Sequence, residues 1–263
     1  VVSSPKPASR CPMSESRPGD GITEDALLGG QVRLLQPAEG YRAAIDPVFL
    51  AAAVAAAPGD MVLDVGAGVG AAALCLARRE PSCQIRGIET QRELVRLAAR
   101  NVELNGFAGR VDIMVGDLLR PPPRLAPSSF HHVMANPPFL PADAASTSPH
   151  AGRAAANQEG EAKLADWVRF CVTMVRPKGT VTFIHRADRM EALLGELRSR
   201  AGEIVVFPLW PGGSRPASRI LVRARKDVGA PTRLSSGLVL HDADGRYTPA
   251  AEAILRDGVG LML

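Results

Sequence analysis

Short apolar runs alternate with longer stretches of helical spacing along most of this chain. Met61 to Val65, Gln84 to Glu89, Val111 to Val115, His131 to Asn136 and Thr180 to His185 read as strands bounded by Gly, Pro or charged residues. Between them, Ala71 to Arg79 reads as a helix, and a second helix closes on the Asn105-Gly106 C-cap signal. Leu164, Trp167, Val168, Cys171, Val172 and Val175 recur at helical spacing, which predicts a core-facing helix and not an aromatic recognition box. A helix over Asp188 to Arg200 and strands over Glu203 to Pro208 and Arg219 to Arg225 follow. Upstream, Asp46-Pro47 before the alanine-rich Val48 to Ala57 predicts an N-cap, a first-turn proline and a helix. The alternation predicts an α/β fold with a doubly wound, mostly parallel, Rossmann-like sheet. Its last strand is expected to return antiparallel.

Composition sharpens this outline. With 263 residues and 46% hydrophobic content, the chain can bury one substantial core. Residues 1–22 are rich in Ser, Pro, Gly and charge and are expected to lack packed structure. Residues 23–58 form an N-terminal segment with a helix on the core, 59–228 the main domain and 229–263 a C-terminal extension. No apolar run approaches the roughly 18 residues of a membrane span, and no signal-peptide pattern opens the chain, so a cytoplasmic location is expected. Four cysteines without C-x-x-C spacing point to buried thiols, with no metal site expected. The net charge is only +4, and 27 of the 31 basic residues are arginine, so charge alone says little about nucleic acid. A local feature says more: from Val205 to Lys226 there are five basic residues and no acid. Arg215 and Arg219 fall near the carboxyl edge of the sheet, where they can form a phosphate-facing rim.

Two motifs carry chemistry. Val62-Leu63-Asp64-Val65-Gly66-Ala67-Gly68-Val69-Gly70 is a strand entering a glycine turn, the place where α/β sheets hold a nucleoside cofactor. Gly66, Gly68 and Ala71 also satisfy the dinucleotide pattern, so a nicotinamide enzyme competes at this point. Glu89 closes the next strand about 20 residues on, suited to ribose hydroxyls. Thr90 and Glu93 predict a capping box just after it. Asp64 and Asp117 favour S-adenosylmethionine, Asp64 toward its amino group and Asp117 toward its adenine. The second motif is Asn136-Pro137-Pro138-Phe139. Proline pushes the residue before it to extended backbone, which sets Asn136 at a strand tip. Two prolines remove N–H donors, so this main chain offers only acceptors. The Asn136 side-chain oxygen and the Pro137 carbonyl can each accept one N–H of a planar amine, and Phe139 can stack on its ring.

With these motifs on the page, the chain resembles the bacterial valine-tRNA adenine-N6-methyltransferases from about Leu27 to Arg256. Leu28-Gly29-Gly30, Gly40-Tyr41-Arg42, Ile45-Asp46, the glycine turn, Asn136 to Phe139, Phe183 to Arg189, Leu238 to His241 and Tyr247-Thr248-Pro249 carry the resemblance. It implies a seven-stranded methyltransferase sheet, S-adenosylmethionine as donor and a tRNA adenine next to the anticodon as acceptor. It further implies cofactor contacts from Asp64, Gly66, Ala67, Gly68, Glu89, Asp117 and Asn136, with Tyr41, Arg42 and Asp46 approaching the methionine end. Asn136, Pro137, Pro138 and Phe139 would grip the base. Arg153, His185, Arg186, Arg215 and Arg219 are expected toward RNA, His185 to base or ribose and Arg186 to phosphate. Pro141 to Gly160, which contains Arg153, reads as a candidate lid. Phe139 stands where the adenine-N6 members commonly carry tyrosine. Methylation of rRNA guanine N2, methylation of a protein glutamine amide and RNA binding without turnover therefore stand as alternatives.

Overall fold

In the computed structural model, which describes residues 21–39, 42–139 and 161–263, the run Met61–Val65 forms β3, with four of its five residues buried. It is central because its neighbours cover it on both edges. β4 (Gln84–Glu89) and β6 (Phe130–Ala135) pair with β3 in parallel, β5 (Val111–Val115) extends β4, and β7 (Val175–Arg186) extends β6. β9 (Arg219–Lys226) lies antiparallel between β7 and β8 (Ala201–Trp210). These seven strands are the doubly wound, mostly parallel sheet expected from the sequence, with the last long strand antiparallel. Two short strands, β10 (Arg233–Leu234) and β11 (Leu238–Val239), add to the outer edge of β8.

The chain steps from β3 to β4 to β5 on one side, then returns to place β6 on the other side of β3. That reversal opens a crevice at the carboxyl ends of β3 and β6, where doubly wound sheets bind ligands. One face of the sheet is covered by α1 (Asp46–Ala53), α2 (Ala71–Arg79) and α3 (Arg92–Leu104). The other is covered by α4 (Leu164–Met174) and α5 (Met190–Leu197). Every residue of α1 from Pro47 to Ala53 is buried, so this helix carries no polar stripe. Its first residues differ from expectation: Ile45 is the N-cap, and Asp46 turns away to pair with Arg219 at 2.9 Å. The helix also ends four residues before Ala57, at Ala53. The Thr90 capping box does not form either. Gln91 is the N-cap of α3 without a side-chain bond, because the Thr90 hydroxyl donates to Glu89 instead.

A hairpin that the sequence reading did not contain, β1 (Ile22–Leu27) and β2 (Val32–Pro37), docks on α3. Two asparagines one helical turn apart replace a missing neighbour strand. Buried Asn101 accepts the Leu35 N–H at 2.8 Å and donates to the Leu35 and Val69 carbonyls at 3.0 Å each. Asn105 makes the equivalent pair with Arg33, accepting its N–H at 2.8 Å and donating to its carbonyl at 2.7 Å. At the other end of the chain, α6 (Pro249–Asp257) is capped by the Thr248 hydroxyl, which accepts the Ala251 N–H at 3.2 Å. It packs on α1 and on the turn of the hairpin. Among the described residues, no helix is long and apolar enough to cross a membrane.

Candidate active site

Local geometry at the end of β3 follows from three glycines with positive φ, Gly66 at 71°, Gly68 at 56° and Gly70 at 89°. The amides of Gly66 and Ala67 both donate to the Ile88 carbonyl at 2.9 Å, which ties the turn to β4. A Cβ on Gly66 would sit 2.5 Å from the Trp167 ring, so this turn has no room for a side chain. Glu89 completes the frame. One of its oxygens accepts the Gly68 N–H at 3.0 Å, and the other accepts the Gln91 N–H at 2.9 Å and the Thr90 hydroxyl at 3.2 Å. Glycine turn and acid are thus held against each other by the carboxylate itself.

The turn opens on a cavity of about 560 Å³. Asp64, Gly66, Ala67, Gly68, Glu89, Asp117 and the whole of Asn136 to Phe139 line it, so most residues expected at cofactor and base meet in one cavity. Pro47, Leu50, Ile88 and Leu118 add apolar surface. Asp117 accepts the Leu119 N–H at 2.9 Å, which fixes its carboxylate at the rim. Asp64 is only 3% exposed, and its Oδ2 has no hydrogen-bond partner among the described residues. Burial, opposed by the Ala73 amide and reinforced by the Glu89 charge, pushes its carboxyl from 3.8 up to about 7. A buried acceptor in that condition calls for a cationic donor.

Trp167 is the residue that sequence reasoning missed. Its helical spacing marked it as core, which is correct for the ring's packing, yet the indole also lines the cavity. Its Nε1 is buried with no hydrogen-bond partner among the described residues. Nothing in the local sequence distinguishes it from its core neighbours on α4.

Other expected residues lie elsewhere. Arg42 and Asp46 do not line this cavity. They face a second one, of about 1020 Å³, where Arg42 binds Asp25 and the Thr23 hydroxyl and Asp46 binds Arg219. Arg219 reaches further inward than a rim residue, its guanidinium lying 4.7 Å from the Phe139 ring centroid. His185, expected toward base or ribose, is fully buried and lines neither of these cavities. Its ring lies 5.6 Å from Phe139 at 49°, and its Nδ1 accepts the Arg186 N–H at 2.8 Å. Burial and the Arg189 and Arg219 charges depress it to about 4, so it supports Phe139 as a neutral imidazole. Arg186 turns back to pair with Asp188, and Arg215 sits exposed in a turn, its N–H on the Gly212 carbonyl; neither lines either of these two cavities. Tyr41, Arg153 and the Pro141 to Gly160 segment lie outside the described residues, as do residues 1–20.

The sequence profile of the methyltransferase small domain family matches residues 45–156, the stretch that holds the glycine turn and the Asn-Pro-Pro-Phe run. That likeness spans 112 of the chain's 263 residues. The site fits S-adenosylmethionine: an apolar cavity with a buried carboxylate whose Oδ2 has no hydrogen-bond partner among the described residues, a glycine turn and a second acid. A tRNA1(Val) (adenine(37)-N6)-methyltransferase of Porphyromonas gingivalis is 27% identical over 197 residues, 71% of this chain and 74% of that protein. A release factor glutamine methyltransferase of Geobacter sulfurreducens is 38% identical over 80 residues, 30% of this chain and 26% of that protein. A crystal structure from Agrobacterium tumefaciens, described as a predicted O-methyltransferase, superposes with a TM-score of 0.68 at 24% identity. It covers 82% of this chain and 97% of the other, and it speaks for the fold alone.

Proposed function

We propose that this methyltransferase transfers a methyl group to the exocyclic N6 of an adenine in tRNA, next to the anticodon of a valine tRNA. The observation that carries this reading is the Asn136 to Phe139 run in the lining of the cavity that Asp64 and Glu89 also line. The similarity to the P. gingivalis tRNA enzyme over most of both chains supports the substrate.

The chemistry asked of these residues is modest. An adenine amine is a poor nucleophile because its lone pair is delocalised into the ring. The Asn136 side-chain oxygen and the Pro137 carbonyl would accept its two N–H groups, leaving the lone pair directed away from both acceptors. Bound S-adenosylmethionine supplies an electrophilic methyl carried on a sulfonium. Asp64 would hold the ligand's ammonium and Glu89 its ribose hydroxyls, while Asp117 would meet its adenine. Phe139, fixed by His185 and Arg219, would present a rigid aromatic edge to the target ring. No general base is required if the amine loses its proton to water after the new bond has formed. Positioning then supplies much of the rate. A target in an open loop costs less to bring into the site than one in a paired stem.

The same grip accepts a glutamine amide, and the short match to a release factor glutamine methyltransferase favours that as the second reading. Offering labelled S-adenosylmethionine with unmodified tRNA, unmodified rRNA and a release factor in parallel tests the assignment. Label is expected in the tRNA, and label confined to the protein or to rRNA would overturn it.

A further inference from the structure

The second cavity is larger than the cofactor cavity and shares Phe139 with it. We infer that it is a subsite for the ribonucleotide flanking the target base, with Tyr247 as the surface on which that neighbouring base stacks. This rests on the tRNA reading above.

Two aromatic rings line the cavity, and each is packed on a neighbour. Phe139 lies under the Arg219 guanidinium at 4.7 Å. Tyr247 stacks on His241, ring centroids 4.6 Å apart and nearly parallel at 26°. His241 is itself fixed, its Nδ1 donating to the Pro211 carbonyl at 3.0 Å. The Tyr247 segment is held by an antiparallel bridge to His241 and by the Thr248 N–H on the Leu240 carbonyl at 2.9 Å. Two braced aromatic rings on one chamber suit single-stranded nucleic acid, where stacking is the main source of affinity.

Charge agrees with this occupant. Arg42, Arg219 and Arg256 line the cavity, each paired with one carboxylate, Asp25, Asp46 and Glu252 in turn. The Arg42–Asp25 pair is about a third exposed on both sides, and exposed pairs of that kind are weak enough for a phosphate to compete, while Arg219 is held by the more buried Asp46. The origin of the walls agrees too. Asp25, Arg42, Arg219, Tyr247 and Arg256 all lie outside the matched methyltransferase small domain at 45–156. The matched stretch supplies most of the cofactor cavity's lining, and the hairpin, β9 and the C-terminal segment supply much of this chamber beside it. Phe139 and Ala43 line both cavities, so a polymer with one base at Asn136 has the second chamber directly beside it.

The test uses the full chain, labelled S-adenosylmethionine and an unmodified anticodon stem-loop. Tyr247→Leu should raise KM for the RNA about tenfold with kcat little changed, and Tyr247→Phe should restore it. Cofactor affinity, measured on each variant, reports that the fold is retained. A readout independent of any variant is the wild-type protein with RNA made abasic on one or other side of the target. One of the two substrates should lose a similar factor, and combining it with Tyr247→Leu should add little further loss. Wild-type KM for both abasic substrates, or fully additive losses, would overturn the subsite while leaving tRNA methylation standing. A protein that labels release factor and no RNA would remove both.

Discussion

The least comfortable group in the site is Asp64, and replacing it by Asn separates its cost to the fold from its value to the ligand. The rise of its carboxyl from 3.8 to about 7 corresponds to ~4 kcal/mol of differential interaction between the two protonation states, an upper bound. A raised pKa on an acid means that the folded protein keeps the proton where the unfolded chain has already released it. Stability is therefore greatest below 3.8 and falls as pH rises toward 7, above which the loss is complete. An asparagine at this position does not ionise, so Asp64→Asn has no such slope. Its amide has its own unpartnered atoms, which cost about 1–3 kcal/mol. Denaturant unfolding of the ligand-free proteins between pH 5 and 8 should show the variant gaining on wild type by about 2–3 kcal/mol across that range. Calorimetry with S-adenosylmethionine should show the reverse order. Wild-type affinity should strengthen as pH rises through about 7 and Asp64 ionises, and the variant should bind at least ~10-fold more weakly at pH 8. Parallel stability profiles for the two proteins, or a wild-type affinity that does not change with pH, would refute this account of Asp64.

Two further substitutions test the frame around the site. Asn101→Leu removes three hydrogen bonds and leaves the Leu35 and Val69 groups unsatisfied, so it should cost about 3 kcal/mol in denaturant unfolding. Gly66→Ala places a methyl 2.5 Å from Trp167 at a φ of 71°, and should cost ~2–4 kcal/mol and weaken S-adenosylmethionine binding. Adding Trp167→Leu to Gly66→Ala should recover part of that loss, as a coupling energy between contacting residues.

How much of this was legible beforehand depended on whether the signal was local. The strands around Asp64, Glu89 and Asn136 could be read because buried parallel strands are short, apolar and punctuated by glycine and proline. The motifs carried their own geometry, since glycine and proline restrict what the backbone can do. The hairpin β1–β2 was missed because its pairing is completed by Asn101 and Asn105, about 70 residues away. The Thr90 capping box failed because Glu89 offered the hydroxyl a nearer acceptor. Likewise Asp46 could serve an N-cap or an ion pair, and the placement of Arg219 on an antiparallel strand decided it. His185 looked available at a strand end, but Phe139 and the flanking strands closed over it. The second cavity had no sequence signature, because residues from both ends of the chain meet there only in the fold.

The most direct measurement is to methylate unmodified tRNA with labelled S-adenosylmethionine, digest it, and identify the labelled nucleoside, using wild type and Asn136→Ala side by side. The account predicts N6-methyladenosine from the wild type. It also predicts a loss in kcat on the order of 10²-fold or more for the variant, with S-adenosylmethionine binding largely intact. Label in any other nucleoside, or undiminished turnover by Asn136→Ala, would contradict it.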